Sequence, residues 1–148
     1  MPEHKKTGGD QAIGRSRGGL STKIHATCDA LGNPTRFYLT AGQAHDLDGA
    51  DALLPELKAG AVLADRAYDA EARVRQLLAE DSCEAVIPST RRRKAPYDYD
   101  RELYKARHLI ENFFAKLKQY RGIATRYDKT SQNFLGAIYL AASVIWLN

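Results

Sequence analysis

The spacing of apolar positions changes several times along the chain, and each change marks an element. From Leu20 to Cys28 the residues alternate, with Leu20, Thr22, Ile24, Ala26 and Cys28 on one side and Ser21, Lys23, His25 and Thr27 on the other. A period of two predicts a strand with one buried face. Gly32-Asn33-Pro34 supplies a turn, and Arg36 to Thr40 puts Phe37 and Leu39 on a common face, so an antiparallel hairpin is expected. Asp46 is placed to cap a helix running towards Leu57, with Pro55 marking its end. Ala61-Val62-Leu63-Ala64 is a continuous apolar run that stops at Asp65, as in a strand covered on both faces. Asp69 and Glu71 open the next helix, in which Val74, Leu77 and Leu78 repeat at i, i+3 and i+4. Glu84 to Pro88 reads as another short strand.

Beyond the turn-like Ala95-Pro96, a long helix is predicted from Asp100 to Gly122, with Leu103, Ile110, Phe114 and Leu117 as its apolar stripe. Thr130 or Ser131 caps a last helix, Asn133 to Leu147, apolar nearly all round. Its length of about 15 residues falls short of the roughly 20 a bilayer requires, so a buried core helix is expected and no membrane contact. The order of hairpin, helix, strand, helix, strand, helix, helix makes the chain α/β. Residues 1–19 contain Gly8, Gly9, Gly14, Gly18 and Gly19 among His4, Lys5, Lys6, Arg15 and Arg17, with no apolar period. They read as a flexible basic arm preceding a folded unit over 20–148.

Composition adds little until it is divided along the chain. A chain of 148 residues with 44% apolar and 27% charged residues is ordinary for one globular domain. Cys28 and Cys83 are too few for a disulfide framework or a cysteine zinc site, and with no signal-peptide pattern a cytoplasmic setting is the default. The net charge of +4 conceals a segregation: residues 43–85 hold 4 basic and 10 acidic residues, and residues 86–129 hold 12 and 5. Such a division suits carboxylates that hold a cation beside a polyanion, although composition alone favours the simpler reading of a helix with a solvated charged face.

Tyr104, Arg107, Glu111 and Lys118 project within roughly 60° of one another at 100° per residue, forming a polar stripe on the long helix. Arg107 and Glu111 also form an i, i+4 pair that an exposed helix uses for modest stabilisation. Asp65 ends an apolar strand, the place where ligands collect in open α/β sheets. Arg91, Arg92, Arg93 and Lys94 form a run that reads either as a DNA-facing loop or as a solvated one. His25 and His45 lack a paired ligand spacing, and surface or capping roles are expected for them.

The spacing Tyr104-x-x-Arg107-x-x-x-Glu111-x-x-x-x-x-x-Lys118 resembles the tyrosine, arginine, glutamate, lysine signature of bacterial insertion-sequence transposases with a DDE catalytic domain. Leu63-Ala64-Asp65-Arg66-Ala67-Tyr68-Asp69 is similar to the segment around the family's second catalytic aspartate. Gly14-Arg15-Ser16-Arg17-Gly18-Gly19-Leu20-Ser21-Thr22-Lys23-Ile24-His25 resembles the entry to the second strand in the insertion-sequence-five type, and Ser131-Gln132-Asn133-Phe134 also fits. The similarity runs over nearly the whole chain.

The resemblance implies a ribonuclease H-like mixed sheet with flanking helices, two Mg²⁺ or Mn²⁺ ions, and strand cleavage and transfer on double-stranded DNA at transposon ends and target. It makes Asp65 and Glu111 the second and third acidic ligands, both catalytic and metal-binding. Tyr104, Arg107, Lys118, Arg91, Arg92, Arg93 and Lys94 become the DNA-side residues, with Arg107 either orienting Glu111 or contacting DNA. Oxygen ligands suit such ions, and a two-metal site activates the attacking oxygen while stabilising the leaving one.

The family's first catalytic aspartate precedes the glycine-rich basic segment, on a central strand between the second and fourth. Seven residues precede Gly8, and Asp10 lies among glycines with no apolar run. The expectation is therefore an incomplete domain lacking that strand and inactive in cleavage alone, either a second reading frame completed by fusion to the upstream reading-frame product or a truncated gene remnant, with a second copy as a possible partner. A stand-alone metal nuclease needs a third acidic ligand, and the non-enzyme alternative is a DNA-binding or regulatory fragment of a transposase.

Overall fold

A computed structural model of the chain describes residues 12–16, 19–120, 123 and 130–147. Three strands form one antiparallel sheet in the order β1 (Gly14–Ser16), β2 (Gly19–Cys28) and β3 (Pro34–Ala41). Strand β1 pairs Gly14 with Ser21, within the segment expected to be an arm; residues 1–11, 17 and 18 lie outside the described residues. The turn between β2 and β3 closes on Asp29, whose Oδ1 accepts the N–H groups of Leu31 and Asn33 at 2.9 and 3.0 Å. Gly32 takes φ +85° there, a conformation that strains any residue with a Cβ.

The two faces of the hairpin meet different helices. Ile24, Ala26, Phe37 and Leu39 pack with α4 (His108–Leu117) and α5 (Ser131–Leu147), where Phe113, Leu117, Phe134 and Ile138 complete a buried cluster. The polar face of β2 is covered by α1 (Asp46–Leu53) instead of lying open. His25 is therefore buried rather than at the surface, its Nε2 2.7 Å from Thr40 Oγ1. Helix α1 begins after His45, which makes no side-chain cap, and Asp46 pairs with Lys23 Nζ at 3.0 Å rather than capping. It stops at Leu53, short of Leu57, because Pro55 has no N–H to continue the ladder.

A second sheet joins β4 (Ala61–Leu63) to β5 (Glu84–Val86) in parallel, Val62 facing Ala85. Between them lie a 3₁₀ turn, Arg66–Tyr68, a π turn, Glu71–Arg75, and α2 (Gln76–Glu80). Ala50 and Leu54 of the α1 segment pack with Val74, Leu78, Cys83 and Ile87 in a second buried cluster. Burial pushes the thiols of Cys28 and Cys83 above their ordinary pKa, and both are free.

The predicted helix over 100–122 is broken. It consists of α3 (Arg101–Tyr104), a 3₁₀ turn over Lys105–Arg107, and α4, with Gly122 outside the described residues. Asp100 caps it as its position predicts, accepting the Leu103 N–H at 2.9 Å. A 3₁₀ turn advances about 120° per residue rather than about 100°, so three residues rotate α4 relative to α3 by roughly 60°. Leu103 consequently leaves the stripe, 38% exposed, and Phe113 enters it. In α5 the Thr130 hydroxyl accepts the Asn133 N–H at 3.2 Å. No helix among the described residues is long and apolar enough to cross a membrane.

Candidate active site

Asp65 follows the last residues of β4 and caps the 3₁₀ turn, its Oδ1 accepting the Ala67 N–H at 2.9 Å. That bond fixes the carboxylate and leaves Oδ2 directed at Arg107 Nη1, 3.8 Å away. Arg107 Nη2 donates to Glu111 Oε1, one turn further along. One guanidinium therefore joins two carboxylates that lie far apart in sequence. Surface pairs of this kind contribute little energy, so their weight here is geometric.

Tyr104 lies beneath the same guanidinium, 5.8 Å from ring centroid to Cζ, and Tyr99 meets the Tyr104 ring edge-on at 5.5 Å. Tyr68 faces the cluster from the 3₁₀ turn. Burial, then the carboxylates of Asp46 and Asp65, push its phenol up to about 12 against the opposing Arg107. Lys118 caps the end of α4, exposed and roughly 10 Å along the axis from Glu111. The structure thus gathers Asp65, Tyr104, Arg107 and Glu111 and places Lys118 two turns away.

The basic run divides. Arg91, Arg92 and Lys94 are exposed, whereas Arg93 turns inward to the buried carboxylate of Asp69, with Nη2–Oδ1 at 2.6 Å. Asp69 also accepts Arg75 Nε at 2.7 Å and the Thr90 N–H at 2.6 Å. Burial alone would raise the Asp69 carboxyl; Arg93, the Thr90 N–H and Arg75 outweigh it and hold it far below the usual carboxylate range. Asp69 thus does not open a helix.

Residue-by-residue reading missed Tyr68, Asp69, Arg75 and Tyr97. A signal was present in Arg75, which follows Val74 and stands three residues before Leu78 on the buried side of the segment, since a buried arginine requires an acid. The acidic middle of the chain is largely spent on arginine and lysine partners: Asp48 and Asp51 hold Arg73, and Asp46 holds Lys23. Among the described residues no group of three or more His, Cys, Asp or Glu is arranged to hold a metal ion.

The family described as Transposase DDE domain matches residues 2–146, a span that contains the whole cluster. A protein of Brucella ovis named "Putative transposase for insertion sequence element IS6501" is 44% identical over 130 residues, 86% of this chain and 99% of the relative. No solved structure matches the chain. With Asp65 and Glu111 brought to one guanidinium inside that matched span, the chain belongs to the transposase DDE-domain family.

Proposed function

We propose that the chain is the carboxy-terminal part of an insertion-sequence-five type DDE transposase on a ribonuclease H-like fold. In this reading it supplies the second and third acidic ligands, Asp65 and Glu111, for metal-dependent cleavage and transfer of DNA strands at transposon ends. The observation that carries it is the sharing of Arg107 by those two carboxylates. The division of the strands into two sheets, β1-β2-β3 and β4-β5, supports a further strand, with the first aspartate, as the piece that would join them.

The donor chemistry of the pair fits a hard divalent ion, because both side chains offer carboxylate oxygens. The donor count does not fill a two-ion site from the described residues. The missing carboxylate then comes from residues outside that set or from the upstream reading-frame product. Mg²⁺ or Mn²⁺ bound there would supply Lewis acidity to a phosphodiester. Asp65 is oriented by the Ala67 N–H, and Arg107 holds Glu111 towards it. Lys118, Arg91, Arg92 and Lys94 hold DNA phosphates, and Tyr104 flanks the strand beside Arg107.

The test is cleavage of labelled duplex carrying the element's ends, in Mg²⁺ and in Mn²⁺. The chain alone binds the duplex without cutting it; fused to the upstream product it cuts, and Asp65→Asn or Glu111→Gln abolishes cutting. Cleavage by the chain alone that disappears in Asp65→Ala would overturn the incomplete-site reading. Binding without cleavage even in the fusion would favour a regulatory DNA-binding fragment.

A further inference from the structure

We infer that Asp69 and Arg93 form a positioning clasp that holds the loop over residues 89–97 so that Arg91, Arg92 and Lys94 face a DNA backbone, Arg93 itself making no phosphate contact. The inference rests on the DNA-binding reading above. The clasp is built from both ends of the loop. At its mouth the Tyr97 N–H donates to Ser89 Oγ at 2.8 Å. Inside, the Thr90 N–H and Arg93 Nε donate to Asp69 Oδ2 at 2.6 and 3.0 Å, and Arg93 Nη2 donates to Oδ1.

Glu71 closes the outer side. It accepts Arg93 Nη1 at 3.0 Å and the Tyr97 hydroxyl at 2.8 and 2.9 Å. Arg75, tied to Asp69 and to the Ile87 carbonyl, lies 4.3 Å from the Tyr97 ring centroid, and Arg93 lies 5.0 Å from it. Every nitrogen of the Arg93 guanidinium is thereby engaged with protein. Three of its five N–H donors, one on each nitrogen, and its charge are thus matched by Asp69 and Glu71, whereas Arg91, Arg92 and Lys94 remain exposed. Asp69 is the fourth residue after Asp65, so the clasp also fixes the loop relative to the candidate metal ligand.

Electrostatics alone and positioning give opposite signs. Removing a negative charge beside a DNA-binding loop tightens binding if charge is all that matters. If the carboxylates instead hold the loop, Asp69→Asn and Glu71→Gln weaken binding because freed residues must be ordered on the DNA. Ordering one residue corresponds to about 5- to 30-fold in affinity. Glu71 is exposed, so Glu71→Gln leaves the fold intact where Asp69→Asn threatens it.

The experiment measures binding of a fluorescent random-sequence duplex by the full chain across a salt series, with thermal unfolding followed for every variant. Glu71→Gln weakens binding with an unchanged unfolding temperature. Arg93→Ala also weakens it but keeps the slope of log K against log salt. Arg91→Ala and Arg92→Ala each reduce that slope by about 0.9, the signature of one lost phosphate contact. Tighter binding by Glu71→Gln and Asp69→Asn, or a slope loss of about 0.9 in Arg93→Ala, overturns the proposal while the DNA-binding reading stands. Absence of salt-dependent binding by the unaltered chain removes both.

Discussion

Arg107 occupies the position that a cation between Asp65 and Glu111 would take. Like charges held close repel, and the guanidinium offsets that repulsion while keeping both carboxylates turned to one point. The same charge opposes entry of a divalent ion. Arg107→Gln should therefore bind Mn²⁺ more tightly than the unaltered chain. Solvent screening at this half-exposed site limits the gain to about 3- to 10-fold, roughly 1 kcal/mol. Titration followed by Mn²⁺ electron paramagnetic resonance reads the affinity without requiring cleavage. Asp65→Asn in the same assay should weaken binding, and an Arg107→Gln affinity equal to or below that of the parent would show that the arginine does not compete with the ion.

At the scale of elements, the contact of α1 with β2 depends on one missing side chain. A Cβ on Gly49 would stand 2.2 Å from His25 Nδ1, and the imidazole is held from its other nitrogen by Thr40. Burial lowers the His25 pKa, opposed by Asp46, so the neutral ring is the form the packing favours. Gly49→Ala improves helix propensity by up to about 1 kcal/mol but overpacks a closed contact, which costs about 1–3 kcal/mol. Net destabilisation in urea unfolding is the expected result; a more stable Gly49→Ala would show that the ring can yield. The alternation in 20–28 and the apolar run before Asp65 were legible because hydrophobic period records strand geometry. The same period records polarity rather than cover, and so it left His25 on an open face. Nor does it record the 3₁₀ turn at Lys105–Arg107, where the helix changes phase as Arg107 meets Asp65 from another element.

Across the whole molecule, the candidate site lies between two buried clusters. Glu111 rides on α4, anchored by Phe113 and Leu117, while Asp65 follows β4, whose Val62 packs beside Val74 and Leu78. Each half was readable locally, as a strand end and as a helix stripe. Their meeting depends on the docking of distant elements, which no local spacing encodes; only the family resemblance joined them. The Asp69–Arg93 clasp escaped for the same reason, each residue having a plausible local role as a helix opener or a solvated cation. Helix α1 supplies the docking, since it contacts β2 and β3 while its Ala50 belongs to the second cluster. If α1 couples the clusters, they unfold together. Leu78→Ala and Ile138→Ala, one in each cluster and both nearly inaccessible to solvent, should each cost about 2–5 kcal/mol. Both should lower the midpoint of one shared transition followed by circular dichroism in denaturant. Two separable transitions, each moved by only one substitution, would show that the clusters fold independently and that Asp65 and Glu111 are not held together by the fold.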